Sequence, residues 1–300
     1  MQVREPNNSG GPVVIVADSA TDPPEELVQE LGIFLVPIYI RFGEEVLRDR
    51  VDITVEQVMA RLSRGELAKT ANPGPADFLH AFRQALEQVP GATILCFCIS
   101  ARLSGGYQSA LVAKQMLGYP HIHVVDTRGG SLASGWVVIE AARAARRGEP
   151  PERILEMGDS LMQQMRFYAA LDDLRHLYHT GRLGRAQAAL GTLLDIKPIL
   201  TIREGEVALV ERVRSRSRAM QRLVSLASEG LEGKPVKCAV FYTGDEEPAE
   251  WLARELAERM RMEELIRTHA GPVITAAVGP GLVGFALFST QGKENGDRSR

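Results

Sequence analysis

The chain has 300 residues, of which 45% are hydrophobic and 24% are charged. This length exceeds the usual size of one hydrophobic core, so we expect two domains. The net charge of −3 argues against nucleic acid as the main partner, because phosphate binding usually requires a basic surface. No run approaches the roughly 20 apolar residues that a membrane-spanning helix needs, so stable membrane insertion is not expected.

The two ends of the chain are polar. Residues 1–11 lack the apolar segment of a signal peptide, and residues 292–300 have a similar character. We expect both to be disordered tails and the protein to be cytoplasmic. The three cysteines do not indicate a disulfide framework, and no His/Cys cluster has the spacing of metal ligands, so we expect neither a metal nor another cofactor.

Apolar runs alternate with helix-forming segments in the N-terminal half. The predicted strands are 13–17, 33–40, 93–99 and 122–125. Helices are predicted to begin near Asp22, Asp52, Ala76 and Tyr107, and to cover 131–147. Buried strands that alternate with helices are typical of a doubly wound parallel sheet, so the predicted fold class is α/β.

The pattern changes after residue 165. Strands predicted at 207–210, 238–243, 273–278 and 284–289 accompany two helices, 217–228 and 249–261. This arrangement predicts a mixed-sheet α/β domain over 166–291, preceded by a parallel-sheet domain over 12–165. A cleft between two such domains is a natural ligand site.

Three polar loops follow predicted parallel strands: Asp18-Ser19, Ser104-Gly105-Gly106 and Asp126-Thr127. Ligands bind at the carboxyl ends of such strands, so we expect these loops to meet at one site. Thr70 lies in a turn-rich loop that can reach the same edge, although a turn residue without a ligand explains it equally.

The Ser104-Gly105-Gly106 loop carries the strongest of these signals. Its glycines let the backbone approach a ligand, and a helix that begins immediately afterwards favours an anion at its N-terminus. Ser104 adds a hydroxyl donor. A plain helix cap accounts for the same residues, and this alternative stays open.

Two further turns contain glycine. In the segment 179–185, Arg182 could bind a carboxylate or phosphate through two hydrogen bonds, and the alternative is a solvated charge on a connecting loop. Gly279-Pro280-Gly281 lies between two apolar runs, and the alternative there is a connection that only needs glycine torsion angles.

Catalytic fingerprints are missing from the sequence. It has no GxxxxGK[ST] loop and no GxSxG serine elbow. His176 and His179 have no evident Ser or Cys partner, and the adjacent carboxylates of Asp172 and Asp173 need not converge. These motifs therefore indicate no catalytic residue.

Several segments together resemble the DegV family, the fatty-acid-binding components of the bacterial fatty acid kinase system. They are IVADSATDPPEEL, Val51-Asp52-Ile53, KTANPGP, ISARLSGGYQSA, VVDTRGGSLASG and GRLGRAQAALGTLLDIKPIL. The family has similar segments in the same order, from residue 13 to about residue 288. The order and spacing of these segments carry the resemblance, since none is specific alone.

The resemblance implies that one long-chain fatty acid lies between the domains, with its carboxyl group held by Thr70 and Ser104. Arg182 would lie at the edge that faces a separate fatty acid kinase, which phosphorylates the bound carboxylate. This chain would then be a binding subunit and carrier that presents the lipid, rather than an enzyme. Further candidate ligand contacts are Asp18, Ser19, Gly105, Gly106, Asp126, Ala277 and Gly279.

Three positions depart from the family pattern. Ala277 stands where the family commonly has a histidine, Ala71 replaces a serine, and Gly106 replaces a threonine. These changes imply a less polar head-group pocket, so a lipid-sensing or carrier protein uncoupled from a kinase is an alternative. A second alternative is a substrate-binding subunit related to dihydroxyacetone kinase, for which His179 is the nearest candidate to bind substrate covalently.

Overall fold

The computed structural model describes residues 11–184 and 196–291. The expected disordered tails lie outside the described residues, apart from Gly11. Residues 185–195 also lie outside them, and this stretch contains the end of the predicted Arg182 turn and much of the segment GRLGRAQAALGTLLDIKPIL.

The N-terminal half contains the predicted parallel sheet. Its strand order is β2-β1-β6-β7, and all three neighbouring pairs are parallel. The strands are β1 (Val13–Asp18), β2 (Phe34–Val36), β6 (Thr93–Cys98) and β7 (Ile122–Asp126). Every residue of β6 is buried, as expected for a strand covered on both faces.

Six described α-helices lie in the N-terminal half, and five of them cover the two faces of this sheet. The six are α1 (Glu25–Leu31), α2 (Val55–Ser63), α3 (Pro75–Gln88), α4 (Gly106–Leu117), α5 (Leu132–Arg146) and α6 (Pro151–Gln164). α3 and α4 pack on one face, and α1, α5 and α6 pack on the other, while α2 packs with a small antiparallel sheet.

The single strand predicted over 33–40 is wrong, because the chain changes sheets at Pro37. Before it, β2 belongs to the parallel sheet. After it, β3 (Tyr39–Phe42) pairs with β4 (Glu45–Arg48) and β5 (Ala68–Ala71) in a small antiparallel sheet. Proline has no N–H group for a ladder hydrogen bond, which fits its position between the two strands.

The C-terminal half contains the predicted mixed sheet, with six strands in the order β10-β9-β8-β13-β11-β12. Only β11 and β12 are parallel within this described sheet. The strands are β8 (Arg166–Ala170), β9 (Lys197–Arg203), β10 (Glu206–Val213), β11 (Pro235–Tyr242), β12 (Arg261–His269) and β13 (Val283–Ser289). We propose that the two domains meet between residues 165 and 166, where this sheet begins.

The C-terminal helices are α7 (Arg175–His179), α8 (Arg216–Ser228), α9 (Glu247–Arg259) and α10 (Pro272–Val278). The strand predicted over 273–278 is wrong, because this segment is α10. Its β-branched residues favour a strand, but Pro272 in the first turn and the Asp49 carboxylate that accepts from Val273 N favour a helix start. No described helix is long and apolar enough to cross a membrane.

Helix α5 joins the two halves. Trp136 is fully buried, its Nε1 donates to the Ala286 carbonyl at 3.0 Å, and its ring lies edge-on to Phe288. Arg143, further along the helix, pairs with Glu264 of β12 at 2.7 Å. One hydrophobic cluster therefore continues from the parallel sheet through α5 into the mixed sheet.

Candidate ligand-binding site

A cavity lies between the carboxyl edge of the parallel sheet and one face of the mixed sheet. The empty space within it, including its open mouth, is about 910 Å³. Ala20, Ile99 and Gly130, which follow β1, β6 and β7, line one side. Phe167 and Phe241 line the other. The cavity therefore lies where the topology of the parallel sheet predicts a ligand.

The described lining is almost entirely apolar. Its polar side chains are those of Thr70, Asn72, Ser104, Ser131, Arg182 and Thr201. Asn72 packs against Gly105, where a Cβ atom would lie 2.5 Å from Nδ2 of Asn72. This contact joins the end of β5 to the Ser104 loop, while α7 and α10 both pack against β5. Thr70, Ser104 and Arg182 all line this one cavity.

Two lining hydroxyls are already used as donors within the protein. Ser131 Oγ donates to Asp22 Oδ2 at 3.3 Å, and Thr201 Oγ1 donates to the Phe167 carbonyl at 2.7 Å. These hydroxyl protons have acceptors without any ligand, so neither group is the best candidate for ligand binding.

The other two lining hydroxyls retain a free donor. Ser104 Oγ accepts from Gly106 N at 3.1 Å, and no described acceptor takes its proton. Thr70 Oγ1 has no hydrogen bond to a described residue, and its side chain is half-buried. Thr70 lies within β5, opposite Ile40, rather than in the predicted loop. Accepting a hydrogen bond polarises the Ser104 hydroxyl as a donor.

The glycines after Ser104 do not line this cavity. Gly106 is buried, with Phe78 and Asp18 on its Cα side, and its amide donates to Ser104 Oγ. Gly105 provides space for Asn72. Gly105 is the N-cap residue of α4 and makes no side-chain cap hydrogen bond, whereas Ser104 lies one residue earlier and accepts from the first helical amide.

Arg182 is the one charged side chain in the described lining. It follows α7, is half-buried, and donates through Nη1 to the Thr180 carbonyl. Burial lowers the pKa of the Arg182 guanidinium, which nevertheless stays protonated at neutral pH. No described carboxylate forms a salt bridge with it, so it can attract an anion into the cavity.

Asp18 and Ser19 lie beneath the cavity wall and do not line the cavity. Asp18 accepts from the amides of Ala20 and Ile99, and Ser19 Oγ accepts from the amide of Ile38. All three amides belong to lining residues. Burial raises the pKa of Asp18 to about 7. These two side chains therefore shape the wall rather than contact its interior.

Asp126 and Gly279 also lie outside the described lining. Asp126 Oδ1 accepts from Arg128 N at 2.8 Å and orders the loop after β7. Gly279 has a φ of 77°, and a Cβ atom there would lie 2.2 Å from Cδ2 of His176. Ala277, two residues before it, does line the cavity. The Gly-Pro-Gly turn thus needs glycine for both its torsion angle and its close packing.

A buried ionic cluster was missed from the sequence. Asp22 pairs with Arg50 at 2.7 Å and accepts from Gly271 N at 2.9 Å, while Asp49 Oδ1 accepts from Val273 N at 3.0 Å. Burial raises the pKa of Asp49 to about 7. These carboxylates hold the start of α10, which lines the cavity. Nothing in their local sequence separates them from surface charges.

The described residues contain no group of three or more His, Cys, Asp or Glu side chains that could hold a metal ion. The arrangement is an apolar interior with two free hydroxyl donors and one guanidinium. Such a site suits an elongated apolar molecule with one anionic end, because buried anions need charged or hydrogen-bonding partners.

Comparison with known proteins defines the family. Residues 12–290 match the family model described as "Uncharacterised protein, DegV family". A DegV domain-containing protein of Caldanaerobacter subterraneus subsp. tengcongensis is 30% identical over 273 residues, which cover 91% of this chain and 97% of the relative. The chain therefore belongs to the DegV family.

Two solved structures share the fold over nearly their whole length. A DegV family protein from Thermus thermophilus, described as fatty acid binding, has a TM-score of 0.85 and 33% identity, with 93% of this chain and 99% of that chain covered. DegV from Bacillus subtilis, described as a fatty acid binding protein, has a TM-score of 0.82 and 27% identity, with 93% and 100% covered. The α/β fold with a parallel and a mixed sheet is that of DegV proteins.

Proposed function

We propose that this protein binds one long-chain fatty acid in the cavity, with the carboxyl group at Thr70, Ser104 and Arg182. The observation that carries the proposal is the distribution of free donors. Among the four described hydroxyls of the lining, Thr70 and Ser104 alone have a proton without a described acceptor, and Arg182, which has no carboxylate partner among the described residues, lines the same cavity. The fatty acid binding described for the Thermus and Bacillus proteins supports the same ligand.

The head group and the tail make different energetic contributions. A buried carboxylate without partners costs several kcal/mol, and the three donors offset that cost. The tail contributes about 0.8 kcal/mol per buried methylene, so roughly 14 methylenes contribute on the order of 11 kcal/mol before ordering costs. We expect a lipid held in this way to remain bound during purification.

The further role that we propose is presentation of the bound carboxylate to a separate fatty acid kinase, as the family resemblance implies. The chain itself would supply no catalytic group. One observation favours the alternative of a carrier or sensor without a kinase: Ala71 and Ala277 both line the cavity, so methyl groups occupy the positions of the expected serine and histidine. His179 does not line the described cavity, and nothing favours covalent binding of a substrate there.

Mass spectrometry of lipid released from the denatured, gently purified protein tests the ligand class. We expect a long-chain fatty acid, and protein that carries no lipid and binds neither palmitate nor oleate would contradict the proposal. The double variant Thr70→Ala/Ser104→Ala should bind at least about tenfold more weakly. Ser109→Ala, which removes a hydroxyl of α4 outside the lining, is the matched control and should bind like wild type. If the double variant binds fatty acid with the affinity of wild type, Thr70 and Ser104 do not hold the head group.

Addition of a fatty acid kinase from the same organism, with ATP, tests the presentation step. Acyl-phosphate formation on the loaded protein supports it. Bound lipid without any product supports the uncoupled carrier.

A further inference from the structure

Three carboxyl groups and one guanidinium form a buried cluster beneath the cavity wall. Asp18, Asp22 and Asp49 are each at most 2% exposed, and Arg50 pairs with Asp22 at 2.7 Å. No salt bridge joins Asp18 or Asp49 to a described cation. The cluster therefore contains more carboxyl groups than its one described cation can balance, and an unbalanced buried charge is costly.

Asp18 is the member of this cluster that lies beside Ser104. A Cβ atom at Gly106 would lie 3.4 Å from Ser104 Oγ and 3.7 Å from Asp18 Oδ2, so one methyl group at this position would contact both oxygen atoms. Asp18 does not line the cavity. Its charge nevertheless acts on a head group bound at Ser104, because buried surroundings screen charges much less than water does.

The other groups around Asp18 do not neutralise it. β6 contributes the Cys98 thiol, whose pKa is raised by its hydrogen bond with Cys96 and by burial, so it is uncharged at neutral pH. The first turn of α4 carries no acidic or basic side chain, and α3 contributes Phe78. Asp49, which follows β4, adds negative charge. The described cation nearest to this group of carboxyls, Arg50, is already paired.

The Asp18 carboxyl group can take either protonation state without losing its hydrogen bonds. Oδ1 accepts from Ala20 N at 3.1 Å, and Oδ2 accepts from Ile99 N at 2.8 Å. Each oxygen has a second acceptor position that can bind a proton. Burial and, to a smaller extent, Asp49 raise the pKa of Asp18 to about 7. Both states are therefore populated at neutral pH, and a further negative charge nearby favours the protonated one.

We propose that binding of the fatty acid carboxylate is coupled to the uptake of one proton by Asp18. As the carboxylate reaches Ser104, a proton passes from water to an Asp18 oxygen, and the net charge of the buried region stays the same. Affinity should then fall as the pH rises above 7, because the free protein has by then lost the proton that the complex retains. This inference rests on the proposed fatty acid binding and adds a pH dependence to it.

Titration calorimetry of the delipidated full chain at pH 7.5, in buffers with different enthalpies of ionisation, counts the protons taken up on binding. Dodecanoate is ionised in solution at this pH, and we expect its binding to take up roughly half a proton or more. Its Kd should also rise by up to about tenfold for each pH unit above 7. Dodecanol has no charge, so its binding should take up no proton.

Asp18→Asn should abolish the proton uptake and flatten the pH dependence of the Kd for dodecanoate. Asp126→Asn is the matched control, because Asp126 also ends a parallel strand and accepts from two backbone amides, but it is only partly buried and lies outside the cluster. It should keep the wild-type uptake. Asp49→Asn should keep most of it.

Proton uptake that persists in Asp18→Asn would overturn the inference, and so would uptake that disappears only in Asp49→Asn. The wild-type measurement decides independently of whether the Asp18 variant folds. If wild type binds dodecanoate without proton uptake at any pH from 6.5 to 8.5, the inference is wrong. If wild type binds neither palmitate nor dodecanoate, the proposed function itself fails, which is a distinguishable result.

Discussion

Arg182 combines a charge with burial and has no carboxylate partner among the described residues. Arg182→Gln should weaken fatty acid binding about 10- to 100-fold, because a charge-assisted hydrogen bond is lost and the carboxylate keeps only hydroxyl donors. Titration calorimetry with palmitate measures this change. Arg175→Gln is the matched control, since Arg175 is exposed and pairs with Asp173. If the two variants bind equally well, Arg182 is not a head-group contact.

Position 279 requires glycine for two separate reasons, its backbone torsion angles and the space around its Cα atom. Its φ of 77° and ψ of −175° belong to a region that is essentially restricted to glycine, and His176 occupies the space of a Cβ atom. Gly279→Ala should therefore reduce the free energy of unfolding by more than Gly32→Ala, at a position with φ of 68° and open space around it. We expect a loss of at least about 2 kcal/mol, against about 1 kcal/mol for Gly32→Ala. Urea denaturation compares the two, and equal losses would contradict this explanation.

At the scale of elements, α10 depends on the buried carboxylates at its start. The pKa of Asp49 is raised from 3.8 to about 7, so its contribution to stability is fully present below about pH 4 and is lost as the pH rises through 7. Asp49→Asn keeps the acceptor for Val273 N but cannot ionise. The variant should therefore lose less stability than wild type between pH 4 and pH 7.

Denaturation at several pH values measures how steeply the free energy of unfolding changes with pH. One such group contributes at most about 1.4 kcal/mol per pH unit to this slope. Asp52→Asn is the control. The pKa of Asp52 is lowered to about 2 by its hydrogen bonds with Arg48, so its titration is complete below pH 4. That variant should keep the wild-type slope. An unchanged slope in Asp49→Asn would show that this carboxyl group does not titrate in this range.

The elements also show what the sequence can predict. The fully buried strands β1 and β6 are recognisable because both of their faces are apolar. α10 is not recognisable, since six of its seven residues are apolar and all seven are buried or half-buried, so the segment has no helical periodicity and resembles a strand. The sequence analysis does not predict strands β4, β5, β8, β9 and β12. β12 alternates exposed side chains, three of four of them charged, with partly buried ones at the edge of the sheet, and its first residue lies within the helix predicted before it.

At the scale of the whole molecule, the cavity exists only where the two halves meet. The sequence indicates Thr70, Ser104 and Arg182 through the family resemblance. It could not indicate that Ser131 and Thr201 use their hydroxyl protons internally, or that Asn72 packs against Gly105. Those properties depend on contacts between distant segments, which local patterns do not contain.

Because both halves form the cavity wall, bound lipid should stabilise the whole fold. A ligand at 100 times its Kd adds about 2.7 kcal/mol to the free energy of unfolding. Delipidation should therefore lower the Tm by a few degrees, and palmitate should restore it, as measured by differential scanning calorimetry. Decanoate at the same concentration is a control, because its shorter tail buries fewer methylenes and should restore less. If palmitate leaves the Tm unchanged, the cavity is not its binding site.

A crystal structure of the delipidated protein reloaded with palmitate tests the central claim most directly. The account predicts continuous density along the cavity, with the carboxylate oxygens within about 3.2 Å of Thr70 Oγ1 and Ser104 Oγ and near the Arg182 guanidinium. A carboxylate bound elsewhere, or a cavity without lipid at saturating palmitate, would contradict it.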